Sequence, residues 1–104
     1  MKENILKNKS FEFAIRIVNL YKFLTLEQKE YILLKQVLRS GTSVGAMIRD
    51  AEFGQSKSDF IHKLSIAQKE INETIYWLEL LFKTDYLILE SYESLNNDAV
   101  KLLN

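Results

Sequence analysis

The chain has 104 residues, 47% hydrophobic and 27% charged, which fits a single soluble globular domain over residues 1–104 and excludes an intrinsically disordered chain. Its 14 basic and 14 acidic residues balance, so no global positive charge marks it as a nucleic-acid-binding protein. The absence of cysteine excludes disulfides and thiolate chemistry and fits a reducing cytoplasm, where we expect the protein to reside.

The N-terminal segment is polar and rich in lysine, and no apolar run follows it, so it is not a signal peptide. We expect residues 1–9 to form a flexible arm. The most apolar region, residues 75–89, is interrupted by Glu79, Lys83 and Asp85, so no membrane span is expected. The chain also lacks proline, so nothing forces a break in a long helix.

Two helices are predicted in the first half of the chain. Ser10 is placed to cap the first one, which carries a wide apolar face. The pattern Thr25-x-x-Gln28 resembles a capping box and predicts that the second helix starts near Leu26. Apolar and small residues then recur every three or four positions through both central glycines, which predicts one long helix over residues 26–53. These positions are Leu34, Val37, Gly41, Val44, Ile48 and Ala51.

Two further helices are predicted in the second half. Gly54 is placed to end the second helix, and Ser56, with Asp59 three residues on, is placed to cap the third over residues 57–83. The regular seam of the third helix consists of Phe60, Leu64, Ala67, Ile71, Thr74, Leu78 and Leu81. A shorter fourth helix runs from about residue 89 to near the end. The predicted fold class is all-α, an up-down-up-down antiparallel four-helix bundle. The short fourth helix leaves apolar surface that a neighbouring subunit would cover.

If the chain reverses direction near Gly54, the second and third helices are antiparallel and their register can be predicted. Residues in contact then have numbers that sum to about 109 in an antiparallel pair. That register places Gly41 and Gly45 against Ala67 and Leu64. Each mid-helix glycine costs about 1 kcal/mol of helix propensity relative to alanine, and close approach of the two helices would offset that cost. A leucine at Gly41 should therefore wedge helices two and three apart.

The same register predicts a polar network between the two helices, with Arg39 near Glu70. Its members are Arg39, Ser40 and Ser43 from the second helix and Glu70, Glu73 and Thr74 from the third. We expect these side chains to fix the helix register or a subunit contact. Together with Gly41 and Gly45 they are the candidate packing and interface residues.

No catalytic, metal or cofactor site is predicted. The spacing Gly41-x-Ser43-x-Gly45 matches a nucleophile elbow, but that motif needs a strand before the serine and a histidine partner. A phosphate-binding loop would need Gly-Lys-Ser or Gly-Lys-Thr after a strand. His62 is the only histidine, and Glu70 and Glu73 have no histidine in register for a di-iron site. We therefore expect a protein without enzyme activity.

The basic residues are spread along the chain and interleaved with acidic ones, which is typical of a solvated mixed surface. The alternative is a nucleic-acid-binding module in which an oligomer gathers a basic stripe from its subunits. The candidate contacts to nucleic acid are Arg39, Arg49, Lys57 and Lys63.

Two segments carry a resemblance to a known family. They are residues 38–51, LRSGTSVGAMIRDA, and residues 59–81, DFIHKLSIAQKEINETIYWLELL. Both resemble the 23S rRNA intervening-sequence protein family, and the similarity extends from about Phe11 to Leu103. The chain differs from the family at Met47, where asparagine is usual, and at Asp50, where glutamate is frequent.

The resemblance implies an up-down four-helix bundle with no established enzyme activity. A related protein, the accessory factor of diversity-generating retroelements, forms a pentamer that binds reverse transcriptase and nucleic acid. By analogy we expect a homo-oligomer, a pentamer in the first instance, with RNA, DNA or a nucleic-acid enzyme as a further partner. The leading hypothesis is a non-enzymatic, self-assembling bundle that acts as an interaction or RNA-associated accessory protein.

Overall fold

The computed structural model describes residues 2–103, and the side chains of residues 5–103. Within that range the chain forms four α-helices and no strand: α1 (Lys2–Glu27), α2 (Ile32–Glu52), α3 (Lys57–Lys83) and α4 (Leu89–Leu103). Because the links are short, consecutive helices are antiparallel neighbours. α2 packs against α1 and α3, and α4 packs against α3 and, least extensively, against α1. The predicted all-α four-helix bundle is confirmed.

The predicted seams form the core. Every seam position of α2 is buried, including Gly41, and in α3 the seam is buried from Ala67 onward. Both central glycines lie inside one continuous α2, so the prediction of an unbroken helix is confirmed. The predicted bounds of α3 and the start of α4 are also confirmed. Along residues 2–103, no helix combines the length and the apolarity needed to cross a membrane.

The start of α1 differs from the prediction. α1 already begins at Lys2, so the expected arm over residues 1–9 is helical in its described part, and Met1 lies outside the described residues. Ser10 is fully buried inside the helix, where its Oγ donates to the Lys7 carbonyl at 3.0 Å. The backbone carbonyl of Ser10 faces Gly45 of α2. Ser10 is therefore a small residue at a close helix crossing and does not cap the helix.

The boundary between α1 and α2 also differs from the prediction. Thr25 lies within α1 and donates from Oγ1 to the Tyr21 carbonyl at 2.8 Å, so it does not cap the second helix. α1 continues to Glu27, and Lys29 then takes a left-handed φ of 53°, a conformation that interrupts a helix. The second helix thus starts at Ile32, later than the capping-box pattern predicts.

A different side chain caps α2. The carboxylate of Glu30 accepts from the backbone N–H groups of Leu33 at 2.8 Å and Leu34 at 3.2 Å. The first N–H groups of a helix have no partner within the helix, so a carboxylate at this position satisfies them and complements the helix dipole.

The link between α2 and α3 follows the prediction at Ser56, whose Oγ accepts from the backbone N–H of Asp59 at 3.0 Å. Gly54 is needed where the link packs closely against the first turn of α3, because a Cβ at this position would lie 3.2 Å from the backbone nitrogen of Phe60. The chain therefore reverses around Ser56, slightly later than at Gly54.

The extra turns of α1 lie where the short α4 ends. Leu6 packs against the core, and together with Ile5 it lines a groove that also contains Ile61 of α3 and Leu102 of α4. The N-terminal residues thus cover part of the apolar surface that the shorter fourth helix leaves open.

Candidate functional site

One polar pair crosses the buried interface between α2 and α3. Thr74 Oγ1 donates to Ser40 Oγ at 2.9 Å, and both residues are at most 1% exposed. Ser40 Oγ donates in turn to the Val37 carbonyl at 3.4 Å, and the Glu70 carbonyl offers Thr74 a second acceptor at 2.8 Å. Both hydroxyls are therefore satisfied without water, as buried polar groups require.

This pair shows that the predicted register is wrong. A sum of about 109 would place Ser40 opposite Lys69, whereas its observed partner Thr74 lies more than one helical turn further along α3. The shift follows from the late chain reversal around Ser56. The prediction that Ser40 and Thr74 belong to one polar contact is nevertheless confirmed.

The other predicted network members do not bond across the interface. Ser43 Oγ donates to the carbonyl of Arg39 within α2 at 2.6 Å. Glu70 Oε2 is buried and has no hydrogen-bond partner within the described part of the chain. Arg39 and Glu73 line one groove between α2 and α3, but no ion pair within residues 5–103 joins Arg39 to Glu70 or Glu73. The predicted network is thus reduced to one hydroxyl pair.

The central glycines face α1, which corrects their predicted contact with α3. A Cβ on Gly41 would lie 2.8 Å from Cγ1 of Ile17, and one on Gly45 would lie 3.4 Å from the carbonyl oxygen of Ser10. The spacing signalled a close helix approach correctly, but it could not show which neighbouring helix makes it.

A shallow groove of about 780 Å³, lined mainly by polar and charged residues, runs between α2 and α3. Its lining residues are Gln36, Arg39, Ser65, Gln68, Lys69, Asn72, Glu73, Tyr76 and Trp77. The two aromatic rings meet edge to face, with centroids 5.0 Å apart and an interplanar angle of 75°. Of these residues, sequence reasoning singled out only Arg39 and Glu73. The signal it missed is the exposed row Lys69, Asn72 and Tyr76, which recurs at helical spacing beside the α3 seam.

A second groove, of about 520 Å³, lies between α1 and α2 and is mainly apolar. Phe11 and Ile15 line it from α1 and remain 52% and 46% exposed. Gly45 and Ala46 line it from α2, and the guanidinium of Arg49 lies 5.5 Å from the centroid of the Phe11 ring. Phe11 and Ile15 thus lie on the side of α1 that faces away from the core.

The predicted nucleic-acid contacts do not lie on one surface of the single chain. Arg39 lies in the α2/α3 groove and Arg49 in the α1/α2 groove. Lys63 lies beside Asp59 near the link between α2 and α3, and Lys57 is exposed in the first turn of α3. A continuous basic stripe over these four residues would require several copies of the chain.

Two alternatives from the sequence can be placed in the fold. Ser43 sits in the middle of α2 with its hydroxyl bonded to a backbone carbonyl, which differs from the strained strand-to-helix turn of a nucleophile elbow. His62 is exposed on α3. Among the described residues, no three His, Cys, Asp or Glu side chains cluster so that they could hold a metal ion.

Comparison with known proteins gives a consistent result. The family model described as 23S rRNA-intervening sequence protein matches residues 2–104. A crystal structure at 1.70 Å resolution of a protein of unknown function from the S23 ribosomal protein family, from Bacteroides thetaiotaomicron VPI-5482, is 63% identical in sequence. That similarity covers 99% of this chain and 92% of the other, with a TM-score of 0.97. None of the curated proteins matches the chain.

Proposed function

The chain belongs to the 23S rRNA-intervening sequence protein family, and from this membership we propose that it is a non-enzymatic, self-assembling bundle that acts as an RNA-associated accessory protein. The proposed assembly is a homopentamer, and the further partner is RNA, DNA or an enzyme that acts on nucleic acid. The family description, which ties these proteins to ribosomal RNA, supports the RNA association. The apolar outer face of α1 supports the self-assembly.

The observation that carries the self-assembly is the distribution of apolar side chains on α1. One face of this helix enters the core through Phe13, Ile17 and Leu24. Its other sides expose five large apolar side chains: Ile5, Phe11, Ile15, Phe23 and Leu26. A helix on the surface of a monomer normally has one apolar stripe and an opposite polar face. A second apolar face on α1 therefore favours burial against another subunit.

The shape of the α1/α2 groove supports the same contact. Phe11 and Ile15 stand beside Ala14, Gly45 and Ala46, whose small size leaves room for a helix of a neighbouring copy. Contact between this groove and a different surface of the next copy would be heterologous. Heterologous contacts close into rings when the rotation between subunits allows it, which is how five copies would form a pentamer.

Light scattering coupled to size exclusion tests the assembly. The expected molar mass is five times the 12.2 kDa of one chain. Ile15→Lys places a charge in the groove and should lower the mass toward that of one chain. Ile88→Lys is the matched control, because Ile88 is also exposed but lies in the link before α4. A monomeric wild-type protein would refute the assembly.

The RNA association has a separate test. Binding of a fluorescent single-stranded RNA should weaken as salt rises, since lysine and arginine contacts to phosphate release counterions. The alternative function, a nucleic-acid-binding module built on a basic stripe of the oligomer, predicts that Ile15→Lys weakens RNA binding as it dissociates the assembly. An absence of binding at low salt would remove both the RNA association and this alternative.

A further inference from the structure

The α2/α3 groove presents a flat aromatic surface held in place. Tyr76 is 58% exposed, and its ring packs edge to face on Trp77, whose indole is itself packed against the core. A single exposed tyrosine is ordinary on a protein surface. Tyr76 differs because its ring contacts Trp77, which is partly buried and packed against the core, so stacking another ring on Tyr76 costs little conformational entropy.

Two cations line the same groove without a partner. Arg39 comes from α2 and Lys69 from α3, both are exposed, and neither forms an ion pair within the described part of the chain. By contrast, Lys7 is paired with Glu52 and Arg16 with Asp98. Only one carboxylate, that of Glu73, lines the groove beside the two cations. The groove is thus locally positive in a chain with zero net charge.

Side-chain amides provide the remaining polar groups. Gln36 extends from α2, and Gln68 and Asn72 extend from α3. Each amide carries donors and an acceptor, the pattern that matches the edges of nucleobases. Aromatic rings, unpaired cations and amides together in an open groove are the components with which proteins hold unpaired nucleotides.

We propose that the α2/α3 groove binds unpaired nucleotides of a single-stranded polynucleotide, with a base stacked on Tyr76 and phosphates at Arg39 and Lys69. This inference rests on the proposed RNA association and assigns a site to it. It does not depend on the self-assembly, since the components all come from one chain. Bases stack on the tyrosine whatever their identity, so binding tolerates different sequences.

Trp77 provides a direct readout, because it is the only tryptophan in the chain and lies beside the proposed stacking ring. Titration with an RNA oligonucleotide should quench its fluorescence with saturation at low salt. A DNA oligonucleotide of the corresponding sequence, titrated in parallel, distinguishes RNA from other single strands. Saturable quenching by either oligonucleotide supports the groove, whereas only the RNA titration supports the accessory role.

Variants at Tyr76 test the stacking contact. Tyr76→Leu keeps an apolar side chain but removes the ring, and should weaken binding roughly 5- to 150-fold. Tyr76→Phe keeps the ring and should bind as the wild type does. Circular dichroism should show both variants folded, as expected for a residue that is 58% exposed.

Charge variants test the phosphate contacts. Arg39→Gln combined with Lys69→Gln should reduce the slope of log affinity against log salt by about 0.7 for each phosphate that is no longer neutralised. Lys22→Gln combined with Lys29→Gln removes the same charge from exposed residues outside the groove and should leave the slope unchanged.

Three results would overturn the assignment. Equal affinity of Tyr76→Leu and the wild type for the oligonucleotide would refute nucleotide binding in the groove but not the RNA association. Failure of the wild type to bind either oligonucleotide would refute both nucleotide binding in the groove and the RNA association. Loss of the assembly in Tyr76→Leu, measured by light scattering, would instead identify the groove as a contact between copies of the chain.

Discussion

The hydroxyl oxygens of Ser40 and Thr74 lie 2.9 Å apart at the centre of the α2/α3 interface, and both are screened from solvent. They are the only buried polar side chains that bond between helices within the described residues. Neighbouring seam residues are apolar, so a shift of either helix by one turn would leave both hydroxyls facing hydrocarbon. The pair therefore fixes the register of the two helices at a modest cost in desolvation.

The first prediction concerns this pair. Thr74→Val keeps the side-chain shape and removes the donor, so it should lower the free energy of unfolding by about 1–2 kcal/mol. Ser40→Ala should act similarly, and the double variant should lose less than the sum, because the shared bond is removed only once. Urea denaturation of the wild type, the two single variants and the double variant measures the coupling free energy between the two hydroxyls. Thr42→Val is the control, since the Thr42 hydroxyl bonds only to carbonyls of its own helix. Strict additivity would contradict a register-setting bond.

Periodicity makes the core predictable, because a helix must bury its apolar residues on one face. The seam through Gly41 likewise predicts the continuity of α2. The start of α1 could not be predicted in this way, since its first turns are mostly polar and carry few apolar residues to define a face. In the structure Leu6 packs against the core and Lys7 pairs with Glu52. The helix that meets Gly41 could not be predicted either, because spacing defines a face and not its neighbour. The groove around Tyr76 depends on the rotation of α2 and α3 about their axes, which the sequence does not specify.

The second prediction concerns the cap of α2. Glu30→Ala removes the acceptor for the N–H groups of Leu33 and Leu34 and should lower the free energy of unfolding by about 0.5–1.5 kcal/mol. Glu27→Ala is the control, as Glu27 is exposed at the end of α1. Hydrogen exchange measured by NMR should show faster exchange of the Leu33 and Leu34 amides in Glu30→Ala only. Unchanged exchange at both amides would mean that water replaces the carboxylate at no cost.

The third prediction concerns the contact between the first and last helices. Arg16 Nη1 lies 2.6 Å from Asp98 Oδ2, and Arg16 Nη2 donates to Ser94 Oγ at 3.0 Å. Both charged side chains are about 40% exposed, so solvent weakens the pair. Asp98→Asn should therefore lower the free energy of unfolding by only about 0.5–1 kcal/mol at low salt.

Salt separates charge from packing in this contact. The destabilisation by Asp98→Asn should shrink toward zero in about 1 M NaCl, where the Debye length falls to about 3 Å. Glu93→Gln, which neutralises an exposed carboxylate on the same helix, is the control. A destabilisation that stayed constant with salt would assign the effect to the hydrogen bonds of Arg16 with α4 and exclude a role for the charge.

The fourth prediction compares the two glycines at the α1/α2 crossing. Alanine at either position gains about 1 kcal/mol of helix propensity. At Gly41 the new methyl would lie 2.8 Å from Cγ1 and 3.0 Å from Cγ2 of Ile17, which is fully buried and has no room to move away. Overpacking of this kind costs about 1–3 kcal/mol, so Gly41→Ala should not stabilise the protein and should lower its melting temperature.

Gly45→Ala should have the opposite sign, which makes the two substitutions a matched pair. The nearest atom to the new methyl is the carbonyl oxygen of Ser10 at 3.4 Å, an ordinary contact distance. The propensity gain of about 1 kcal/mol should therefore survive and raise the melting temperature. Gly41→Leu should be the most damaging of the three substitutions, because its larger side chain would push α1 away from α2. The displaced helix is α1, since Gly41 faces α1 and does not face α3. Equal melting temperatures for Gly41→Ala and Gly45→Ala would show that α1 yields at Ile17 and that the close approach there contributes nothing to stability.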